Sequence, residues 1–243
     1  MIPGLEGTTW AGAFTKITLL IWIATALIMI FYLVTYRSPK LVPTRGQWLA
    51  ESVYGLVRDN IARDLIGKEG VRFAPYLTVL FSFILLNNLW GIIPFAQISP
   101  MSHIAFPIVL ALLSWVVYVG VGIQKHGFFG YVKNSCWIEG APLFVQPILV
   151  PIEFISNLIL RPVTLSVRLF ANMFAGHMIL LVFTLGGVAL FQADSLFIKP
   201  IALVSWGMAI VMTFFELGIM ILQAYVFTLL TATYLQTSLA EAH

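Results

Sequence analysis

Charge is what this sequence has least of. Only 9% of its 243 residues are Asp, Glu, Lys or Arg, and 60% are hydrophobic; water-soluble domains carry about 25% charged residues. So little charge marks an integral membrane protein. Cysteine is almost as scarce. Cys136 stands alone, which excludes an internal disulfide and a cysteine metal cluster. No G-x-x-x-x-G-K-[ST] loop occurs, so the chain cannot itself make a phosphoanhydride bond on a bound nucleotide. H-E-x-x-H, G-x-S-x-G and paired aspartates inside apolar runs are missing too, which argues against an intramembrane enzyme. The first fifteen residues carry no positive charge and the first apolar run is long enough to span, so no signal peptide is expected. No cofactor, metal or nucleic acid is expected as a ligand.

What is present is a series of apolar runs. Residues 17–36 are uncharged and long enough for one span, flanked by Lys16 and Arg37. In residues 47–67, Trp48, Leu49, Val53, Leu56, Val57, Ile61 and Leu65 recur at three- and four-residue steps between charged residues. That pattern predicts an amphipathic helix lying on a membrane surface. Residues 73–96 and 104–124 form two more spans, with Pro94 and Pro100 marking the turn between them. Seven of the 13 Lys and Arg lie between Arg37 and Arg72. This basic segment faces the cytoplasm or its equivalent, so the N-terminus is outside and the loop with Lys125 and Lys133 is inside.

Two longer segments follow, about 148–190 and 196–237. Each has roughly 40 residues, or about 60 Å of helix. The hydrocarbon core is about 30 Å thick, so an unbroken helix of that length confined to it tilts by roughly 60°. The expectation is a steeply inclined hairpin joined near residues 192–195. The fold class is therefore all-α: about five membrane helices plus a surface amphipathic helix. One domain covers 1–243, comprising an N-terminal span and surface helix (1–72), a two-helix hairpin (73–126) and an inclined hairpin (148–238).

The last hairpin keeps polar residues where hydrocarbon is expected. At 100° per residue, Asn157, Arg161, Thr164 and Asn172 fall within about 40° of Arg168, Glu153 falls about 60° away, and His177 lies opposite. On the second helix Ser205, Glu216, Gln223 and Tyr234 share a face. Arg at a helix centre costs about 2.5–3.5 kcal/mol on insertion scales, and such residues usually mark pathways or relays. Arginine stays protonated and holds a fixed charge, whereas histidine and glutamate exchange protons. Arg161 precedes Pro162 and fits an interfacial anchor as well as a path. Cys136, His103 and His126 are expected to be loop residues without chemistry.

"RPVTLSVRLFANMFAGHMIL" (161–180) closely resembles the signature of the a subunits of F-type ATP synthases, and "NNLWGIIP" (87–94), "PIEFISNLILRP" (151–162) and the Glu216…Gln223 pair support it. The resemblance covers most of the chain from about residue 73; the first 70 residues fit only in outline. It implies the stator half of a rotary proton motor, with Arg168 facing the carboxylates of a c-subunit ring. Asn172, His177, Glu216 and Gln223 would line the half-channel that opens outside. Glu153, Ser156, Asn157 and Arg161 lie where the inner half-channel is expected. Implied partners are the c ring, peripheral-stalk b subunits, the soluble headpiece indirectly, and membrane lipid. The membrane would be a bacterial plasma membrane, with the mitochondrial inner membrane as the alternative. The competing function is a self-contained ion channel or secondary transporter, against which stands the absence of an internal repeat.

Overall fold

The computed structural model describes residues 15–37, 42–93, 99–127, 130–131, 146–192, 197 and 199–239. Every regular element among them is helical, and five helices are long and apolar enough to cross a membrane. With no water to satisfy open backbone groups, helices that bond internally are one of two ways to span hydrocarbon. In chain order the helices are α1 (Lys16–Arg37), α2 (Arg45–Val57), α3 (Ala74–Leu89), α4 (Ala105–His126), α5 (Gln146–Ile155), α6 (Arg161–Phe191) and α7 (Lys199–Leu239).

The amphipathic segment has two parts. Thr44 caps α2, its Oγ1 accepting from the Gln47 N–H at 3.4 Å. From Arg58 to Ile66 the winding is π, and a 3₁₀ turn over Lys68–Phe73 leads into α3. Its apolar face divides accordingly. Val57 and Ile61 are fully buried in the core of the molecule, while Trp48 and Leu49 are exposed. Between the charged side chains of this stretch, Arg58 bonds Asp59 at 2.9 Å and holds its carboxyl below the usual carboxylate range.

The core runs along the spans, with Leu77 and Ile84 of α3, Tyr118 of α4, Leu169 and Met173 of α6, and Met220 and Phe227 of α7 in one cluster. In hydrocarbon such packing rests on close van der Waals contact, because lipid is as apolar as leucine. Several hydroxyls within the spans are satisfied locally. Thr78, Thr228 and Thr231 each donate to the carbonyl four residues back. At the ends opposite the 87–93 corner, Lys125 Nζ donates to the Leu239 carbonyl at 2.9 Å and stands 3.5 Å from Glu69 Oε2. It ties the ends of α4 and α7 to the turn before α3.

The two long segments differ from expectation in one respect. α7 is a single unbroken helix of 41 residues. The other segment changes winding: Ser156–Leu160 forms a π turn between α5 and α6, closed by the Arg161 N–H on the Ser156 carbonyl. Pro162 is the physical reason, since it has no N–H to offer the Leu158 carbonyl and its ring crowds the preceding turn. A π turn accommodates one extra residue, so the faces before and after it are offset by about one residue, or about 100°. The stripe drawn at a constant 100° from Glu153 to Asn172 is therefore interrupted at 156–160. The expected turn at Pro94, all but Gln192 of the joint expected near 192–195, Lys133 and Cys136 lie outside the described residues.

Candidate functional site: a polar ladder between two long helices

α6 and α7 pack antiparallel, and the polar face expected on α7 turns toward α6 along its length. Ser205 Oγ donates to the Phe183 carbonyl at 2.7 Å. Glu216 Oε1 lies 3.0 Å from His177 Nδ1. Asn172 Nδ2 donates to Gln223 Oε1 at 2.6 Å. The Arg161 guanidinium stands over the Tyr234 ring at 5.0 Å. From residue 161 to residue 183 the ladder covers about 33 Å of helix, close to the hydrocarbon thickness.

The His177–Glu216 rung is the most strongly constrained. Glu216 is 3% exposed, so its carboxylate has left bulk water and needs a partner. The His177 Nδ1–H points at the Met173 carbonyl, 3.1 Å away. Glu216 Oε1 approaches the same nitrogen off that axis and makes no hydrogen bond to it. His177 Nδ1 therefore faces two oxygen atoms, one from its own helix and one from α7. Among the described residues Nε2, both Glu216 oxygens and Gln223 Nε2 are buried without a hydrogen-bond partner.

Two glycines allow this density. A Cβ at Gly176 would meet Glu216 Oε1 at 2.7 Å, and one at Gly91 would meet His177 Cε1 at 2.5 Å. Small residues let helices approach this closely. Gly91 lies just past α3, one turn after Asn88, whose buried amide has no partner among the described residues. The corner of α3 is thus a third wall beside His177. Sequence reasoning passed over Gly91, Gly176 and Asn88 as site residues; the only signal was a glycine, or an amide pair, within an apolar span.

Arg168 stands apart from the ladder. It is exposed, and among the described residues no hydrogen bond or ion pair holds it. On the same face Thr164, Ala171 and Ala175 are exposed as well, at the i, i+4, i+7, i+11 steps of one helix side. Next to the guanidinium the helix therefore presents small side chains, with Val163, Val167 and Phe174 alongside.

The residues expected at the inner path gather at the π turn. Asn157 Nδ2 donates to Glu153 Oε2 at 3.4 Å, and Tyr118 OH donates to the Asn157 carbonyl at 3.4 Å. Tyr118 packs against Tyr234, with ring centroids 5.5 Å apart, and Tyr234 carries Arg161. Ser156 enters through its carbonyl, which accepts the Arg161 N–H. Tyr118 was not singled out from sequence, since one tyrosine in an apolar span resembles belt or core. His126 ends α4 and His103 caps the 3₁₀ turn at Pro100–Ser102. Among the described residues no three His, Cys, Asp or Glu side chains gather where a metal could sit.

The sequence model of the family described as ATP synthase A chain matches residues 18–236. The chain belongs to the ATP synthase A chain family. Among its relatives, ATP synthase subunit a of Nocardioides sp. is 42% identical over 237 residues, covering 98% of this chain and 86% of that one. The subunit of Parafrankia sp. is 51% identical over 204 residues, 82% of this chain and 67% of that one. That of Rhodococcus erythropolis is 45% identical over 230 residues, 94% and 84% of the two chains. The family match includes every rung of the ladder and the exposed arginine, and with five apolar helices it makes the chain a multi-pass membrane protein.

Proposed function

We propose that this chain is the stator subunit of a rotary ATP synthase, with two offset proton half-channels and Arg168 facing the carboxylates of a c-subunit ring. The observation that carries the reading is the state of Arg168: a permanent cation in the middle of an apolar hairpin, exposed and without an ion-pair partner among the described residues. Burying a lone guanidinium in hydrocarbon is costly, so its partner comes from another chain. The small side chains of Ala171 and Ala175 favour close approach of a helix there. A self-contained channel or transporter has no such need.

The chemistry follows from the residues. His177, Glu216 and Gln223 supply buried atoms without hydrogen-bond partners among the described residues, and Asn172 extends the set through Gln223; such a set suits a hydrated path. A proton reaching this path from outside passes to a ring carboxylate, and the neutral carboxyl turns into lipid. After nearly a full revolution it meets the inner group of Glu153, Asn157, Ser156 and Arg161. There the approach of Arg168 lowers the carboxyl pKa and the proton leaves. Because arginine does not release its own proton, it also blocks direct passage between the two paths. Each charge crossing the membrane supplies about 2.3 kcal/mol per 100 mV. Peripheral-stalk b subunits hold the stator, and a bacterial plasma membrane is the setting.

The test is purification in mild detergent followed by reconstitution. The chain is expected to copurify with a ring of small hairpin proteins and a soluble ATPase. Arg168→Ala is expected to leave that assembly intact and to lower proton-driven ATP synthesis by at least about 100-fold, roughly 2.7 kcal/mol on the barrier. Normal synthesis by the assembled variant overturns the reading.

A further inference from the structure

The π turn before α6 deprives one backbone acceptor of the donor that either helical register would give it. In α winding the Asn157 carbonyl takes the N–H four residues on, and in π winding the N–H five residues on. Here the Arg161 N–H bonds the Ser156 carbonyl instead. Residue 162 is a proline and has no N–H to give. Both registers therefore miss Asn157. Within hydrocarbon an acceptor freed by proline is satisfied from a neighbouring helix.

That donor comes from α4. Tyr118 OH donates to the Asn157 carbonyl at 3.4 Å, a long bond. The tyrosine is 1% exposed. Its ring packs against Tyr234 of α7, with centroids 5.5 Å apart, and Tyr234 lies under the Arg161 guanidinium at 5.0 Å. Asn157 in turn donates through its amide to Glu153 Oε2. One side chain of α4 thus touches both arms of the group at the turn. Its hydroxyl reaches the backbone that carries the Asn157–Glu153 pair, and its ring supports the platform under Arg161. Phenylalanine would meet the needs of packing alone. A tyrosine buried this deeply needs an acceptor, and the one it finds is the carbonyl that Pro162 left without a backbone donor.

We propose that Tyr118 is a positioning residue for proton exit: it supplies the hydrogen bond that Pro162 withholds, and so fixes where Asn157, Glu153 and Arg161 stand at the inner path. The functional half of this proposal deepens the proton-path reading and rests on it; the hydrogen-bond half does not.

Tyr118→Phe keeps the ring contact and removes only the hydroxyl. In the purified complex, hydrogen exchange followed by mass spectrometry should show the amides of residues 157–161 opening about fivefold more readily, as expected for one buried neutral hydrogen bond. ATP synthesis driven by an imposed proton gradient should slow by about the same factor, because the exit group is displaced. Pro162→Ala supplies the decisive comparison. With alanine there, Asn157 regains a backbone donor in either winding: Arg161 when the turn relaxes to α, residue 162 when it stays π. Adding Tyr118→Phe to Pro162→Ala should then change exchange and synthesis by less than about twofold relative to Pro162→Ala alone. A tyrosine that only packs gives the same loss in both backgrounds, which overturns the proposal. Wild-type exchange in Tyr118→Phe overturns it too, as does faster exchange with synthesis at the wild-type rate. Arg168→Ala, measured alongside, separates the two readings: normal synthesis there removes the proton path, while the exchange comparison still decides whether Tyr118 holds the turn.

Discussion

At the scale of single residues, the decisive contrast is between a cation with no partner among the described residues and an acid with an imperfect one. Arg168 is exposed to whatever lies against the hairpin, while Glu216 is 3% exposed and held 3.0 Å from His177 off the N–H axis. The two groups are in contact without a hydrogen bond between them. Changing His177 or Glu216 singly should lower proton flux by at least about tenfold. The exchanged pair, His177→Glu with Glu216→His, should recover part of it. Dye-quenching measurements on inverted vesicles decide, and an exchange no better than the worse single variant speaks against a shared relay. Gly91→Ala presses a methyl group into the His177 ring and should cost about tenfold in flux by displacing it. Gly120→Ala, with nothing within 4 Å of its new Cβ, should cost nothing.

At the scale of elements, the hairpin works as an antiparallel ladder whose rungs change chemistry from one end to the other. A serine on a carbonyl, then an acid with an imidazole, then two amides, then a cation over an aromatic ring follow one another from Phe183 to Arg161. The last rung depends on the π turn, which Pro162 imposes on the segment before α6. Tyr234→Phe keeps a ring under the guanidinium and should leave ATP synthesis near the wild-type rate. Tyr234→Leu removes about 0.5–2 kcal/mol of cation–π attraction and should slow synthesis and lower the melting temperature of the purified complex. Equal behaviour of the two variants shows that the ring contributes only volume.

At the scale of the whole molecule, the chain is an incomplete surface. Large apolar side chains of α1, α6 and α7 are exposed, Phe214 at 71% and Trp22 at 69% among them. Lipid covers such residues readily, but lipid does not satisfy Arg168. Expressed without its partner chains, the protein should therefore not conduct protons in liposomes, and conduction should require a ring of carboxylate-bearing helices. A steady proton leak from liposomes holding this chain alone favours a self-contained channel instead.

The amino-acid sequence by itself determined much of this. Hydropathy located all five spans, because apolar length is a direct physical requirement of a bilayer; four agree to within three residues, whereas α3 ends at Leu89, seven residues short of the expected 96. The rarity of charge in oil picked out Arg168, His177, Glu216, Asn172 and Gln223, since hydrocarbon makes each polar group conspicuous. Periodicity gathered Ser205, Glu216, Gln223 and Tyr234 on one face. Only the tertiary structure decided which groups meet. Helical angles on α6 cannot say that Asn172 reaches Gln223, or that the corner of α3 closes on His177 through Gly91. The π turn at 156–160 was likewise hidden, because a constant angle per residue has no room for an extra one. Pairing across helices depends on crossing geometry and on where small residues permit approach, and neither is written in the periodicity of one helix alone.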